Sequence, residues 1–413
     1  MVKRNLAVAL AAAVGLLGAA AAEAQPQVLT GEHAGAPYEI VVPPAWNGTL
    51  VVVAHGYRDK ADGPGEVDNR DALDDALAAG LASQGYAVAG SAYRDNGWAV
   101  KEGIHDTRAL AAYFRGAVGN PETTLLLGFS MGSVVTYDLA ERSAGLFDGA
   151  IAACAVGAGS PRAWDGAVAA LLAYHVAFGM PPSWGTPGDV RDDLDFQTEV
   201  LAKAVPELSN PANWGKWEFL RLVTDADGAG MVPPSAGYYP GGLFTNLYFF
   251  TEAKAELERR AGGPPAQNQT HAYSLTPAEK AYLASLGVNA DALLAQMNAA
   301  RYAAKPSARN YVRSYAEYSG KLQMPLVSLH TQSDTLVPAS HQAAYADTVA
   351  AAGRSSLLAQ AFTSGIGHCN FTPTQLGWTV AQLESWVKTG APPFFPAVLG
   401  FLPAFAPSPW PYP

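Results

Sequence analysis

The stretch Leu125 to Ser133 reads Leu-Leu-Leu-Gly-Phe-Ser-Met-Gly-Ser, and it leaves a chain few ways to fold. The apolar run Thr123 to Leu127 predicts a buried parallel strand, and a helix-forming run, Val134 to Arg142, follows Gly128-Phe129-Ser130-Met131-Gly132 at once. Strand, sharp turn and helix in that order put the central residue in a strained conformation, and glycine on both sides removes the Cβ atoms that would collide there. Ser130 then stands above a sheet edge with its hydroxyl open. The N–H of Met131, at the helix N-terminus, is placed to stabilise an oxyanion. Taken alone, the pentapeptide also fits an ordinary strand followed by a glycine-rich turn, in a chain where 41 of 413 residues are glycine.

The chain around it reads as strands alternating with helices. Tyr38 to Val42 and Thr49 to Ala54 predict strands, and the second ends in His55-Gly56-Tyr57, where Gly56 lets the chain turn so that the N–H of Tyr57 becomes a second oxyanion donor. A strand end with a buried histidine is the plainer alternative. Asp71 to Gln84 predicts a helix, with Leu73, Leu77 and Leu81 four apart, and Tyr86 to Tyr93 a strand. Arg94-Asp95-Asn96-Gly97-Trp98 then reads as a loop whose exposed-looking Trp98 suits a pocket wall or a capped turn. His105 to Gly116 predicts a helix and Phe147 to Cys154 a strand. Such alternation argues for a mostly parallel sheet with helices on both faces.

After Cys154 the rhythm breaks. Val156 to Pro161 contains a G-x-G without the third glycine of a dinucleotide fingerprint and reads as a turn. Residues 161–320 show no strand pattern. They predict helices at Trp164 to Phe178, Val190 to Ala204, Leu243 to Arg260 and Asp291 to Tyr302, and Thr276-Pro277-Ala278-Glu279 carries the signals that start another. The expected organisation is thus a sheet core over 25–160 and 321–391, an inserted helical cap over 161–320, and a proline- and aromatic-rich tail over 392–413 that drapes on the body or moves freely. In the resumed core, Pro325 to His330 and Leu357 to Phe362 predict strands, and Ala339 to Ala352 and Thr374 to Lys388 predict helices.

Composition removes other possibilities. A formal net charge of −10 with 15% charged residues offers no basic surplus for nucleic acid or an anionic membrane. No H-E-x-x-H and no P-loop occurs, the eight histidines are scattered, and Asp225-Ala226-Asp227-Gly228 has its glycine misplaced for a calcium loop, so neither metal nor cofactor is expected. Lys3 and Arg4, the apolar segment Leu6 to Leu17 and Ala22-Glu23-Ala24 predict a cleaved export signal over 1–24, and no later stretch is apolar enough for a membrane span. The two cysteines of an exported chain, Cys154 and Cys369, both follow strand ends and are expected to pair; two separate buried thiols are the alternative.

A serine nucleophile needs a base, and the base needs a carboxylate. His368 lies in Thr363-Ser364-Gly365-Ile366-Gly367-His368, directly after the last strand, whereas His341 falls on a helix with no turn to lift it over Ser130. Asp334 sits just past the preceding strand in Ser333-Asp334-Thr335-Leu336-Val337-Pro338. Gly128 to Gly132, His55-Gly56-Tyr57, the stretch around Asp334 and Gly367-His368 together resemble the α/β-hydrolase fold superfamily, in particular its secreted bacterial esterases and lipase-like or peptidase-like members. The resemblance covers about 25 to 155 and 321 to 390, in the chain order serine, acid, histidine. It implies Ser130, Asp334 and His368 as catalytic triad and the N–H groups of Tyr57 and Met131 as oxyanion hole.

The expected activity is hydrolysis of a small-molecule carboxylic ester through an acyl-enzyme. A secreted aminopeptidase-like enzyme and a non-catalytic binding protein are the rivals. Oligomeric state is left open. The insertion is rich in aromatics, Trp164, Tyr174, Phe178, Trp184, Trp214, Trp217, Phe219, Tyr238, Tyr239, Phe244, Tyr248, Phe249 and Phe250. Most belong in its own core, and some are expected to line, with Trp98, a substrate pocket favouring bulky apolar or aromatic groups.

Overall fold

The computed structural model describes residues 25–59, 71–192, 194–226 and 239–412, without the side chains of 239–241. The expected export signal, Asp227, Gly228, Tyr238 and the Tyr239 side chain lie outside the described residues. An eight-stranded sheet runs β1 (Gln27–His33), β2 (Ala36–Val42), β4 (Ala87–Ser91), β3 (Thr49–Ala54), β5 (Thr123–Phe129), β6 (Gly149–Ala153), β7 (Leu326–Ser333) and β8 (Leu358–Ile366). β1 and β2 are antiparallel to their neighbours and all other pairs are parallel. β1 has no counterpart in the sequence reading, because its residues are mostly exposed and show no apolar pattern.

The central strands read as unbroken apolar runs because both faces are covered. Val52, Ala54, Leu126, Ala150, Ala152 and Leu326 pack on one side, with the helices α2 (Val100–Ala117) and α3 (Met131–Arg142). Val51, Val53, Leu125, Leu127, Ile151 and Val327 pack on the other, with α1 (Asp75–Ala82) and Leu383 and Trp386 of the last long helix, Pro373–Thr389. Adjacent residues face opposite ways, as pleated strands require. The helix expected at 105–116 starts earlier, at Val100, so the Trp98 loop is short.

Between β6 and β7 the chain is helical: α4 (Gly159–Phe178), α5 (Leu201–Ser209), α6 (Trp214–Thr224), α7 (Tyr239–Tyr248), α8 (Lys254–Ala261), α9 (Pro277–Ser285), α10 (Ala290–Ala299) and α11 (Pro306–Ala316). α4 begins at Gly159, so a division at 160/161 cuts a helix. The helix expected from Val190 begins instead at Phe196, with a π-turn to Val200, because Val190 pairs with Gly185 in a short bridge. Thr276 and Glu279 form the reciprocal capping box that the sequence signals. Tyr174, Trp184, Trp217 and Phe219 build a core of the insertion's own, whereas Trp164, Leu257 and Val312 join the core on the α2–α3 side of the sheet.

α12 (Ser340–Ala351) and α13 (Pro373–Thr389) complete the resumed core. The tail drapes on the body. Phe401 bridges to Thr363 beside β8, and Trp410 and Tyr412 pack against the insertion's core.

Candidate active site

Six segments leave the C-terminal edge of the parallel strands together, which is where open α/β sheets gather their ligands. The turn after β5 holds Ser130 at φ 53° and ψ −120°, a conformation that costs energy for a side-chain-bearing residue and persists only under external constraint. The constraint is close packing. A Cβ on Gly132 would overlap the carbonyls of Ala54 and His55, and one on Gly128 would overlap Gly132 and Thr136, so β3, β5 and α3 approach as only glycine allows. Ser133 locks the turn further: its hydroxyl donates to the Ser130 carbonyl at 2.5 Å and accepts from the Val156 N–H at 2.9 Å.

The structure brings Ser130, His368 and Asp334 into one chain of hydrogen bonds. His368 Nε2 lies 2.7 Å from Ser130 Oγ, and His368 Nδ1 lies 2.7 Å from Asp334 Oδ2. The other Asp334 oxygen accepts the N–H groups of Leu336 and Val337, both at 3.0 Å. Burial of this carboxyl opposes its ionisation, yet the adjoining His368 and His330 and these hydrogen bonds hold it below the usual carboxylate range. An ionised acid at Nδ1 fixes the ring so that Nε2 faces the serine. The histidine loop is itself fastened to β7, since Gly367 N–H donates to the Ser333 carbonyl at 2.7 Å and Thr331 Oγ1 to the Gly367 carbonyl at 2.9 Å.

Cys154 and Cys369 form a disulfide, with Cα atoms 5.0 Å apart and a sequence separation of 215. It ties the residue after His368 to the end of β6. The group Cys154, His368 and Cys369 is close enough to suit a metal, but both sulfurs are spent in the bridge.

His55-Gly56-Tyr57 passes against the serine, with a Cβ built on Gly56 falling 3.3 Å from Ser130 Cβ. The His55 ring stacks on Tyr93 at 3.9 Å, and its Nδ1 donates to the Gly56 carbonyl at 2.7 Å. A trans peptide points its N–H opposite to its C=O, so the N–H of Tyr57 is directed away from the His55 ring. Met131 is the first residue of α3, and its N–H is among those that an α-helix leaves unbonded at its start.

Above Ser130 lies a cavity of about 60 Å³, lined by Trp98, Trp164, Phe249, Phe250, Leu336 and His341, among others. Trp98 is therefore not exposed, as its loop suggested; it is 7% accessible. Its ring meets Trp164 edge-on at 5.0 Å, its indole N–H donates to Ser160 at 3.2 Å, and its backbone N–H donates to Glu256 at 2.8 Å. Glu256 is paired with Arg260, which also reaches Asp95 and Glu102, so α8 clamps the Trp98 loop from above. Of the insertion's aromatics, Trp164, Phe249 and Phe250 face this cavity, while Phe178, Trp184 and Phe219 serve the insertion's own core.

His341 shares the cavity wall without joining the hydrogen-bond chain. Its Nδ1 accepts the Ala158 N–H at 3.2 Å, and burial pushes its pKa down to about 3. On the sequence His341 falls on a helix with no turn to lift it over Ser130, and nothing local reports its place in the wall. Trp410, which leans on His341 with ring centroids 4.4 Å apart, is a further residue that local sequence does not place. The tail's Trp410-Pro411-Tyr412 cluster was the available signal, but nothing local says where a tail docks.

No family model and no curated protein sequence matches the chain. Solved structures do. Proline iminopeptidase from Mycobacterium smegmatis is 13% identical, with 88% of this chain and 100% of that one aligned and a TM-score of 0.41. Feruloyl esterase B from Aspergillus oryzae is 12% identical over 88% of this chain and 80% of its own, with a TM-score of 0.44. A puromycin hydrolase is 14% identical with a TM-score of 0.42; 90% of this chain aligns, spanning 40% of that one. The sheet order, the strained strand–turn–helix at Ser130 and the sequence order of serine, acid and histidine at the ends of β5, β7 and β8 make this an α/β-hydrolase fold.

Proposed function

We propose that the protein is an exported serine hydrolase that cleaves carboxylic esters through an acyl-enzyme. The single observation that carries this reading is the unbroken run of 2.7 Å contacts from Asp334 through His368 to Ser130 beneath an apolar cavity. In the first half-reaction Ser130 Oγ attacks the ester carbonyl carbon while His368 Nε2 takes the hydroxyl proton, and Asp334 steadies the imidazolium that forms. The N–H groups of Met131 and Tyr57 hold the oxyanion. As the tetrahedral adduct collapses, His368 returns the proton to the departing alkoxide oxygen. Water then attacks the acyl carbonyl with His368 as base, which releases the acid and restores Ser130.

An ester is favoured over a peptide by the lining of the cavity. None of its described lining residues is acidic, so an α-ammonium group would be desolvated there without a counter-charge in the wall. The helical segment 161–320 acts in this proposal as a cap, supplying Trp164, Phe249 and Phe250 to a site whose chemistry belongs to the sheet edge. Residues 1–24 act as the export signal, and the disulfide supports an oxidising destination. Among the described residues no helix is long and apolar enough to cross a membrane. A panel of p-nitrophenyl esters set against aminoacyl-p-nitroanilides tests the proposal. Cleavage of esters by the wild type and not by Ser130→Ala is expected, and turnover confined to the anilides would replace the esterase reading with the peptidase one.

A further inference from the structure

Beside the Ser130 cavity lies a second chamber of similar size, about 70 Å³, walled by α4, α6, α7, the loop after β7 and the end of the C-terminal tail. Ala163, Ala167, Phe250, Leu336 and His341 face both spaces, so the two share one wall, and small side chains form part of it. Most of the chamber is apolar or aromatic. Its charged lining residue, Arg221, is ion-paired with Glu218 at 2.8 Å, so the chamber offers no unbalanced charge to a substrate.

Its polar groups are unusual. Asn246 is 6% accessible; its amide NH₂ donates to the Thr335 carbonyl at 2.8 Å, which fixes the amide orientation and leaves Oδ1 with no partner. The Trp410 indole N–H and the Tyr412 hydroxyl are likewise buried without partners. Buried polar atoms are nearly always satisfied, and three orphans around one chamber mark a place where something else supplies the bonds. The set contains an acceptor at Asn246, a donor at Trp410 and a hydroxyl at Tyr412 able to do either. A hydroxyl group matches it, since it donates and accepts at once. A carboxylate offers Asn246 no proton, and an ammonium group lacks a counter-charge.

Two of the three orphans come from the tail. Tyr412 stacks on His271 at 4.8 Å and Trp410 leans on His341, while Leu402 N–H donates to the Phe362 carbonyl at 2.8 Å and anchors the tail upstream. The tail thus runs from the edge of β8 to the chamber and forms part of its wall.

We infer that this chamber is a second substrate subsite, walled in part by the C-terminal tail, that receives a bulky apolar group ending in a hydroxyl. The inference rests on Ser130 as the reacting group, and it names the substrate class of that site. The test uses matched methyl esters of 3-(4-hydroxyphenyl)propanoic and 3-phenylpropanoic acid. In the wild type the hydroxylated ester is expected to have a kcat/KM about tenfold higher, the value of one or two buried hydrogen bonds. That ratio, which cancels any general loss of activity, should fall toward one in Asn246→Leu, in the double variant Trp410→Phe/Tyr412→Phe and in a chain ending at Pro403. The same ratio read as Kd in Ser130→Ala protein tests the subsite independently of turnover. A tenfold binding preference with no cleavage of any ester would keep the subsite and overturn the hydrolase reading. Equal handling of the two esters by an active wild-type enzyme, or a preference that survives all three variants, would overturn the subsite.

Discussion

The C-terminal edge of the sheet and the helical insertion above it meet different physical demands. At the edge, polar groups are few and each is held from several sides: both Asp334 oxygens are bonded, the His368 loop is tied to β7 and by a disulfide to β6, and Ser130 sits in a turn that only close glycine packing permits. The insertion is held by aromatic packing and ion pairs such as Arg260 with Asp95, Glu102 and Glu256. Reacting atoms must be positioned to fractions of an ångström, whereas a pocket wall must chiefly fill space and exclude water. Chemistry should therefore fail when the edge is touched, and selectivity should change when the insertion is touched.

The largest expected effect separates the histidine bonded to Ser130 from the histidine in the cavity wall. His368→Ala and Ser130→Ala should each lower kcat by about 10⁴ to 10⁶ with the fold intact by circular dichroism, and Asp334→Asn by about 10⁴. His341→Ala should stay within about tenfold of the wild type, because His341 bonds to the Ala158 backbone and not to Ser130. If His341→Ala were the inactive variant, the division between edge and wall would be wrong.

Next in size is the bridge. Replacing Cys154 and Cys369 by alanine opens a loop closed over a sequence separation of 215 and should lower stability by up to ~5 kcal/mol, read as the urea midpoint. Because Cys369 adjoins His368, activity should fall before global unfolding, and parallel loss of both signals would show that the bridge serves the fold alone.

A smaller effect reads the wall through pH. Burial holds the pKa of His341 at about 3, with His330, Asp334, Arg162 and His368 as its charged or titratable neighbours, against an ordinary 6.5. Its folded pKa is depressed, so its contribution is complete above pH 6.5 and is lost as pH falls, while the unfolded chain takes up the proton. Asp138 and Asp165, which burial raises to about 6, act in the opposite sense, so total stability is a poor readout. The difference between wild type and His341→Gln is the sharper one. It should move by about 2 kcal/mol in favour of the variant between pH 6.5 and 4.5. A difference independent of pH would mean that this ring titrates normally.

The smallest effect belongs to the roof over the serine. Trp98→Leu removes the edge contact with Trp164 and the bond to Ser160, and should raise KM for bulky esters roughly tenfold with a lesser change in kcat. A loss mainly in kcat would place Trp98 with the edge instead.

Much of the edge was determined by sequence alone, because its signals are local. Glycines on both sides of Ser130 between a strand and a helix mark the strained turn, and the apolar runs of β3, β5 and β6 record burial on both faces; in the insertion, Thr276 and Glu279 cap each other across three residues. Chain order then placed Asp334 and His368 at strand ends without any knowledge of distance. Other features needed the tertiary structure. β1 pairs by backbone hydrogen bonds that leave no apolar pattern, and Trp98 is buried by Trp164 and Glu256, which lie 66 and 158 residues further along the chain. His341 and the tail residues Trp410 and Tyr412 reach the chamber because separate elements pack there. That placement is a sum of many weak contacts between distant parts of the chain, and no local spacing of residues encodes it.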